Sequence, residues 1–203
     1  LTEPSTFDEK LQNALDRFGK IDILINNGGI SQRSLVKETP LAVDKQIMDV
    51  NYFGTIALTK TVLPQFLKQK QGKYVVTTST VGKIGTPYRS GYSASKHALH
   101  GFFDSLRAEL HDDNISVLLV CPGFIHTNIS VNSLTESGEK LGTMDTATAN
   151  GLSPETCANQ IIKAILNNEQ EVVIGGIKEK GSVLIKRFFP KLFSVLIRKF
   201  AVR

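Results

Sequence analysis

The stretch Ile21-Asp22-Ile23-Leu24-Ile25-Asn26-Asn27-Gly28-Gly29 decides the fold. Its apolar part is too short for a helix and runs straight into turn residues, so it reads as a buried strand entering a tight loop. Toward the start of the chain, Phe7, Leu11, Leu15 and Phe18 recur at helical spacing. Thr6 with Glu9 forms a capping-box pattern ahead of them, and Gly19 suits the helix end. Toward the other end, Thr39-Pro40 opens a helix with proline at its first position, and helical periodicity runs to about Lys70. Gly54 and Pro64 interrupt it, which predicts a bend or two helices. Residues 73–79 read as a second strand and 92–111 as a long helix closed by Asp112-Asp113-Asn114. Residues 115–121 form a third strand, broken by Pro122-Gly123. The polar stretch 127–151, rich in Ser, Thr and Gly, is too long for a plain connection and reads as a lid. Ser153-Pro154-Glu155 starts a further helix to about Asn167, and 171–174 is a last short strand.

Helices alternating with apolar strands predict an α/β fold: a doubly wound parallel sheet with right-handed crossovers and helices on both faces. In such sheets ligands bind at the carboxyl ends of the strands. Asn26-Asn27-Gly28-Gly29, Ser79 and Pro122-Gly123 each follow a strand's carboxyl end, so three loops converge on one rim.

Composition agrees with a single globular domain: 203 residues, 41% hydrophobic and 21% charged. The net charge of +5 is unevenly spread. Residues 178–203 hold eight Lys and Arg against one Glu, leaving the first 177 residues at −2. A body so near neutrality argues against a nucleic-acid-binding face. Cys121 and Cys157 lack metal-type spacing, and a reducing intracellular, cytoplasmic setting fits them better than a disulfide framework. Cys121, in an apolar run, is expected to be a buried core thiol. No apolar run reaches the length of a membrane span and no signal peptide opens the chain. The opening Leu1-Thr2-Glu3-Pro4, without an initiator Met, reads like the middle of a longer protein.

The chemistry gathers around Tyr92 and Lys96, four residues apart on a predicted helix and so on one face. Carbonyl reduction needs a proton donor for the nascent alkoxide, and a free tyrosine, with a pKa of about 10, gives up its proton too reluctantly. A neighbouring ammonium favours the phenolate, and Lys96 is placed to supply one. Ser79 ends the preceding strand, where its hydroxyl can stabilise charge developing on a carbonyl oxygen. Asn51 lies in the interrupted helical region, just ahead of Gly54. Each of these residues alone reads first as an ordinary surface or turn position; it is their combination that points to a site.

Asn26-Asn27-Gly28-Gly29, Asn51-Tyr52-Phe53-Gly54, Thr78-Ser79-Thr80-Val81-Gly82, Tyr92-Ser93-Ala94-Ser95-Lys96 and Pro122-Gly123 resemble, in order and spacing, the short-chain dehydrogenase/reductases. The likeness covers roughly residues 1–175. The run 90–98, with Tyr88-Arg89 before it and His126-Thr127-Asn128 after Pro122-Gly123, is most similar to the member 7 and 7B group. The resemblance implies a Rossmann-type domain over residues 1–177 and a hydride transfer between NADP, or NAD, and a carbonyl or secondary alcohol. In it Tyr92 is the general acid/base. Lys96 lowers its pKa and holds the nicotinamide ribose, Ser79 orients the substrate oxygen, and Asn51 holds a water in a proton relay. Asn26, Asn27, Gly28 and Gly29 line the adenosine side of the cofactor. Pro122, Gly123, Ile125 and Thr127 meet the carboxamide. It further implies a homodimer or homotetramer through the helices at 52–70 and 92–111. An extended-subgroup epimerase or dehydratase is disfavoured by the short stretch after Pro122. Two departures stand out. Gly28 replaces the family's usual alanine, and the Gly-rich turn that cradles the pyrophosphate is absent, expected several tens of residues ahead of Leu1. That loss keeps a catalytically silent binding protein or inactive fragment as the alternative, and predicts an exposed apolar edge at the first strand.

The end of the chain, 178–203, forms a unit of its own. Ile185, Phe188, Phe189, Leu192, Leu196 and Phe200 interleave with basic residues, and Pro190 divides the stretch. Peripheral membrane contact through 182–203 and a helix folded over the substrate pocket both fit. Either suits an acyl or steroid-like substrate.

Overall fold

The computed structural model describes residues 1–199; Phe200, the last member of the terminal apolar stripe, lies outside them. Four strands, β1 (Ile23–Asn26), β2 (Gly72–Thr77), β3 (Ile115–Pro122) and β4 (Glu171–Ile174), form one parallel sheet in the order β1-β2-β3-β4. Among the described residues eight α-helices join and flank them: α1 (Phe7–Phe18), α2 (Leu41–Met48), α3 (Gly54–Gln69), α4 (Ser90–Glu109), the single turn α5 (Thr146–Ala149), α6 (Pro154–Leu166), α7 (Ile177–Phe188) and α8 (Pro190–Leu196).

Alternation along the strands sends side chains to two cores. Tyr74 and Val76 of β2 and Val117 and Leu119 of β3 face α3 and α4, meeting Phe66 and Phe103. Val75, Leu118 and Val120 point the other way, against Cys157 and Ala164 of α6. Burying each of these large side chains contributes about 1.5–3 kcal/mol. Both cysteines are free and buried, as expected for Cys121.

Helices do cover both faces, but the crossovers are not all of one hand. The strands advance in a single direction, α3 and α4 lie on one face and α6 on the other. The β3-to-β4 connection therefore has the opposite hand to the first two. The right-handed rule rests on a twisted strand feeding directly into its helix. Here the whole segment 123–153 intervenes, and that length carries α6 round to the far face.

Smaller expectations also shift. The Thr6 cap does not form: Pro4 nucleates a short 3₁₀ turn, Pro4–Thr6, which draws Thr6 into helical backbone, and its hydroxyl donates back to the Glu3 carbonyl at 2.9 Å. Gly19 does close α1, at a φ of 77° that a side chain would strain. Pro40 sits one position earlier than predicted, as the cap of α2 rather than its first residue. Ser153 caps α6 as its motif implies, accepting from the Thr156 N–H at 3.1 Å with Pro154 at the first position. Between α2 and α3 the chain winds as a π turn, Asp49–Phe53, while Pro64 is absorbed within α3. The outer edge of β1 pairs with no strand among the described residues, and Ile23 and Ile25 are exposed on it, so the strand is not buried as its apolar run suggested but is the bare edge expected without a neighbouring strand.

The segment 127–151, expected to be a lid, packs against the loop after β1. Leu134 exchanges backbone hydrogen bonds with the loop after β1, accepting from Arg33 N–H and donating to the Ser31 carbonyl. Ser130, Ser133 and Leu134 are buried. A buried ion pair, Arg33 Nη2 to Asp145 Oδ2 at 2.7 Å, pins its far end.

Candidate active site

The π turn decides where Asn51 points. One residue more than a regular helical turn holds rotates its amide into the protein, where it is wholly buried. Its Oδ1 accepts from Ile30 N–H at 2.8 Å, and its Nδ2 donates to the Ile30 carbonyl and to Ser95 Oγ, both at 2.9 Å. Ser95 in turn donates to the Tyr92 carbonyl. Asn51 thus ties the loop after β1 to the helix that carries the tyrosine.

The start of α4 is fixed by a residue the sequence did not single out. Gln32, fully buried, accepts through Oε1 from Gly91 N–H at 2.8 Å and Tyr92 N–H at 3.4 Å. Its Nε2 donates to Ser34 and Thr39. An amide 59 residues upstream thereby supplies the helix cap that Arg89 does not.

Along α4, Tyr92 and Lys96 face one cleft of about 500 Å3, with Ser79 and Thr77 from the end of β2 and Pro122, Gly123, Ile125 and Thr127 from the loop after β3. Asn27 and Gly29 form its opposite rim. Asn26 does not reach it: its amide is turned inward and donates to Thr59 Oγ1 at 3.0 Å, holding β1 to α3. Gly28 and Asn51 also stay off the wall. Asn51 lies behind Gly29, where a Cβ would come within 3.0 Å of Asn51 Oδ1 and 3.4 Å of Lys96 Nζ. A side chain there would have to push both groups back by a few tenths of an ångström.

Ser79 Oγ donates to the Pro122 carbonyl at 3.2 Å and accepts from Val81 N–H, which aims the hydroxyl across the cleft floor. Burial raises the Tyr92 phenol above its ordinary value; the facing Ser79 hydroxyl, Arg89 and Arg33 pull it part of the way back. Lys96 is not among those charges. Its Nζ donates to the Thr77 carbonyl at 2.8 Å and lies 5.9 Å from the centre of the Tyr92 ring. Burial brings its ammonium down to about 8. The cations that favour the phenolate here are therefore two arginines to which the sequence reading gave no role. No local pattern marks Arg33, because its partner Asp145 stands 112 positions away.

The cleft suits the nicotinamide and ribose half of a dinucleotide. It is open to solvent, backed by Gly29, with a buried ammonium beside it and apolar Ile125 and Ile161 on its walls. Among the described residues no Gly-rich turn lines it for a pyrophosphate.

The short chain dehydrogenase family profile matches residues 1–138. The chain is 44% identical to a dehydrogenase/reductase SDR family protein 7-like of Anopheles gambiae, over 98% of this chain and 63% of that one. It is 42% identical to dehydrogenase/reductase SDR family member 7B of Mus musculus, over 95% and 60%. It thus spans about three fifths of those relatives. Among solved structures, a short-chain dehydrogenase from Streptomyces avermitilis superposes with a TM-score of 0.78 at 24% identity, over 98% of this chain and 79% of that one. A short-chain dehydrogenase/reductase from Burkholderia phymatum in complex with NAD superposes at 0.81 and 21% identity, over 94% and 74%. Sequence and architecture converge, and the chain belongs to the short-chain dehydrogenase/reductase family.

Proposed function

We propose that this chain carries the catalytic half of an NAD(P)-dependent oxidoreductase, with NADP preferred, that interconverts a carbonyl and a secondary alcohol on a largely apolar substrate. The observation that carries the proposal is the placing of the Ser79 hydroxyl against the Tyr92 phenol on the wall of a cleft backed by Lys96. Bound there, the nicotinamide supplies or takes up a hydride at the substrate carbon. The protein's part is position and proton traffic. A carbonyl oxygen entering between Ser79 and Tyr92 takes the hydroxyl's hydrogen bond in place of the Pro122 carbonyl. As negative charge builds on that oxygen, Tyr92 gives it the phenolic proton, and the alcohol is complete. The reverse direction returns the proton to Tyr92. Lys96, with an ammonium near 8, exchanges protons readily around neutral pH and can restore the phenol. Lys96, Gly123 and Thr127 would hold the nicotinamide ribose and carboxamide, with Asn27 and Gly29 toward the adenosine side.

In the full-length protein, NADPH and NADH titrations should show binding, and an added ketone should oxidise the bound cofactor. Binding without oxidation supports a silent binding protein instead, and absence of both overturns the proposal. The same proposal includes assembly as a homodimer or homotetramer through α3 and α4 and a reducing intracellular setting for the free thiols Cys121 and Cys157.

We further propose that α7 and α8 rest on an anionic membrane surface. Phe188, Phe189, Leu192 and Val195 are exposed beside Lys186, Arg187 and Lys191. Among the described residues no helix is long and apolar enough to cross a bilayer. Glu179, near the start of α7, packs at Gly123, which puts the base of this hairpin at the mouth of the cleft. Vesicles containing phosphatidylserine should co-sediment the protein at low salt and release it at high salt, and deleting 182–203 should abolish the association. Equal sedimentation of the shortened protein would end the membrane reading.

A further inference from the structure

Beside the cleft lies a recess of about 60 Å3 that shares Ser79, Tyr92, Gly123, Ile125 and Ile129 with it and is closed by Arg33, Arg89 and Phe124. Resting on the oxidoreductase reading above, we propose that this recess receives a carboxylate carried by the substrate itself, with Arg89 as its counter-charge. Arg89 is only 4% exposed, and its Nη2 is fully buried with no hydrogen-bond partner. The guanidinium packs over the Phe124 ring, 5.6 Å from its centre, and forms no ion pair among the described residues. A buried charge left without a partner is costly unless something else supplies one. The neighbouring carboxylate favours that charge from a distance but makes no pair with it, because Asp145 is held by Arg33 at 2.7 Å. Arg33 and Asp145 cancel, and the charge of Arg89 is left over. Burial first, and then the nearby Arg33, bring its pKa down to about 10 against the smaller opposing pull of Asp145 and Tyr92.

A guanidinium fork matches a carboxylate in plane and spacing, and a recess of this size admits such a group but no bulky one. Because Ser79 and Tyr92 form part of both walls, the carboxylate sits within a few bonds of the reacting carbonyl. The rest of the molecule extends into the cleft along Ile125, Ile129 and Ile161. The substrate class is therefore an oxo or hydroxy acid with an apolar body.

The test compares a 3-oxo acid with its methyl ester in the full-length protein with NADPH, and measures melting of the same protein with the matching 3-hydroxy acid alone. The wild type should prefer the acid by roughly 30- to 1,000-fold in kcat/KM, chiefly through KM, and Arg89→Met should bring the ratio toward one, with Arg89→Lys between them. The hydroxy acid should raise the melting temperature of the wild type and not of Arg89→Met. Without ligand, Arg89→Met should melt no lower than the wild type, because it removes an uncompensated charge; a purely structural arginine predicts the reverse. Equal use of acid and ester by the wild type, or a preference that survives Arg89→Met, overturns the carboxylate site. Should neither compound be turned over, the cofactor and ketone titrations above decide the redox reading, while the melting shift still decides whether the recess takes a carboxylate.

Discussion

On the proposed function, replacing Tyr92 with phenylalanine should lower kcat by roughly 100- to 10,000-fold, the span that a positioned proton donor contributes, and should leave cofactor affinity nearly unchanged. Phenylalanine keeps the ring that packs against Lys96 and removes only the hydroxyl. Ser79 remains anchored to the Pro122 carbonyl and to Val81, so the substrate oxygen still has one donor. What is lost is the proton. The pH profile follows from the same groups. The phenol, raised by burial, stays protonated through neutral pH, and so reduction is supported there. Reduction should fall as pH rises past about 8, where Lys96 loses the proton with which it restores the phenol, and oxidation should gain over the same interval. Lys96→Gln should flatten that limb. Turnover by Tyr92→Phe within about threefold of the wild type would remove Tyr92 from the chemistry, whatever the outcome for the cofactor.

The second large effect is expected at the lid. Side chains of Arg33 and Asp145 are 5% and 1% exposed, and removing one member of so buried a pair costs about 3–5 kcal/mol, since the survivor keeps its charge without compensation. Asp145→Asn should be the more damaging change to function, because it leaves two positive groups, Arg33 and Arg89, in one recess. Urea denaturation should show the loss, and limited proteolysis should cut the segment 127–150 sooner. The double variant Arg33→Met with Asp145→Asn should lose less than the two single changes together, because no charge is stranded. Burial by itself would raise the Asp145 carboxyl, but hydrogen bonds from Arg33 and Thr148 outweigh it and hold the group below its ordinary range. Folded pKa below unfolded pKa means that the pair's contribution is complete above the ordinary carboxylate value of about 4 and disappears as pH falls through the lower folded value. Asp145→Asn should therefore have a flatter acid limb. A single variant within about 0.5 kcal/mol of the wild type would show that the pair does not hold the lid.

The parts of the site legible in the sequence are those that local periodicity controls. Tyr92 and Lys96 share a face because four residues nearly complete a helical turn. Ser79 and Pro122-Gly123 are found by where strands stop, and strands stop at turn residues. What escaped depends on pairing across the fold. Gln32 shows no local pattern linking it to α4, and Arg33 looks like any loop arginine until Asp145 returns to it from the lid. Asn26, Asn27, Gly28 and Gly29 were one motif in sequence, yet the chain turns between them, so that Asn26 serves the interior and only Asn27 and Gly29 meet the cleft. The hand of the last crossover was hidden for a related reason. It is set by how far the long flap travels before α6 begins, a property of the whole segment.

The widened turn at Asp49–Phe53 limits how the protein can be improved. An engineer seeking thermostability would be drawn to trim one residue there and let α2 and α3 fuse into a single ideal rod. Everything upstream of the cut would then swing about the axis by the angle of one residue, and the Asn51 amide would leave Ile30 and Ser95 for the outside. The molecule would gain a straighter scaffold and lose the strut between its first loop and its tyrosine-bearing helix. In this stretch irregular winding and the seating of the tyrosine-bearing helix are inherited together, and neither can be optimised alone.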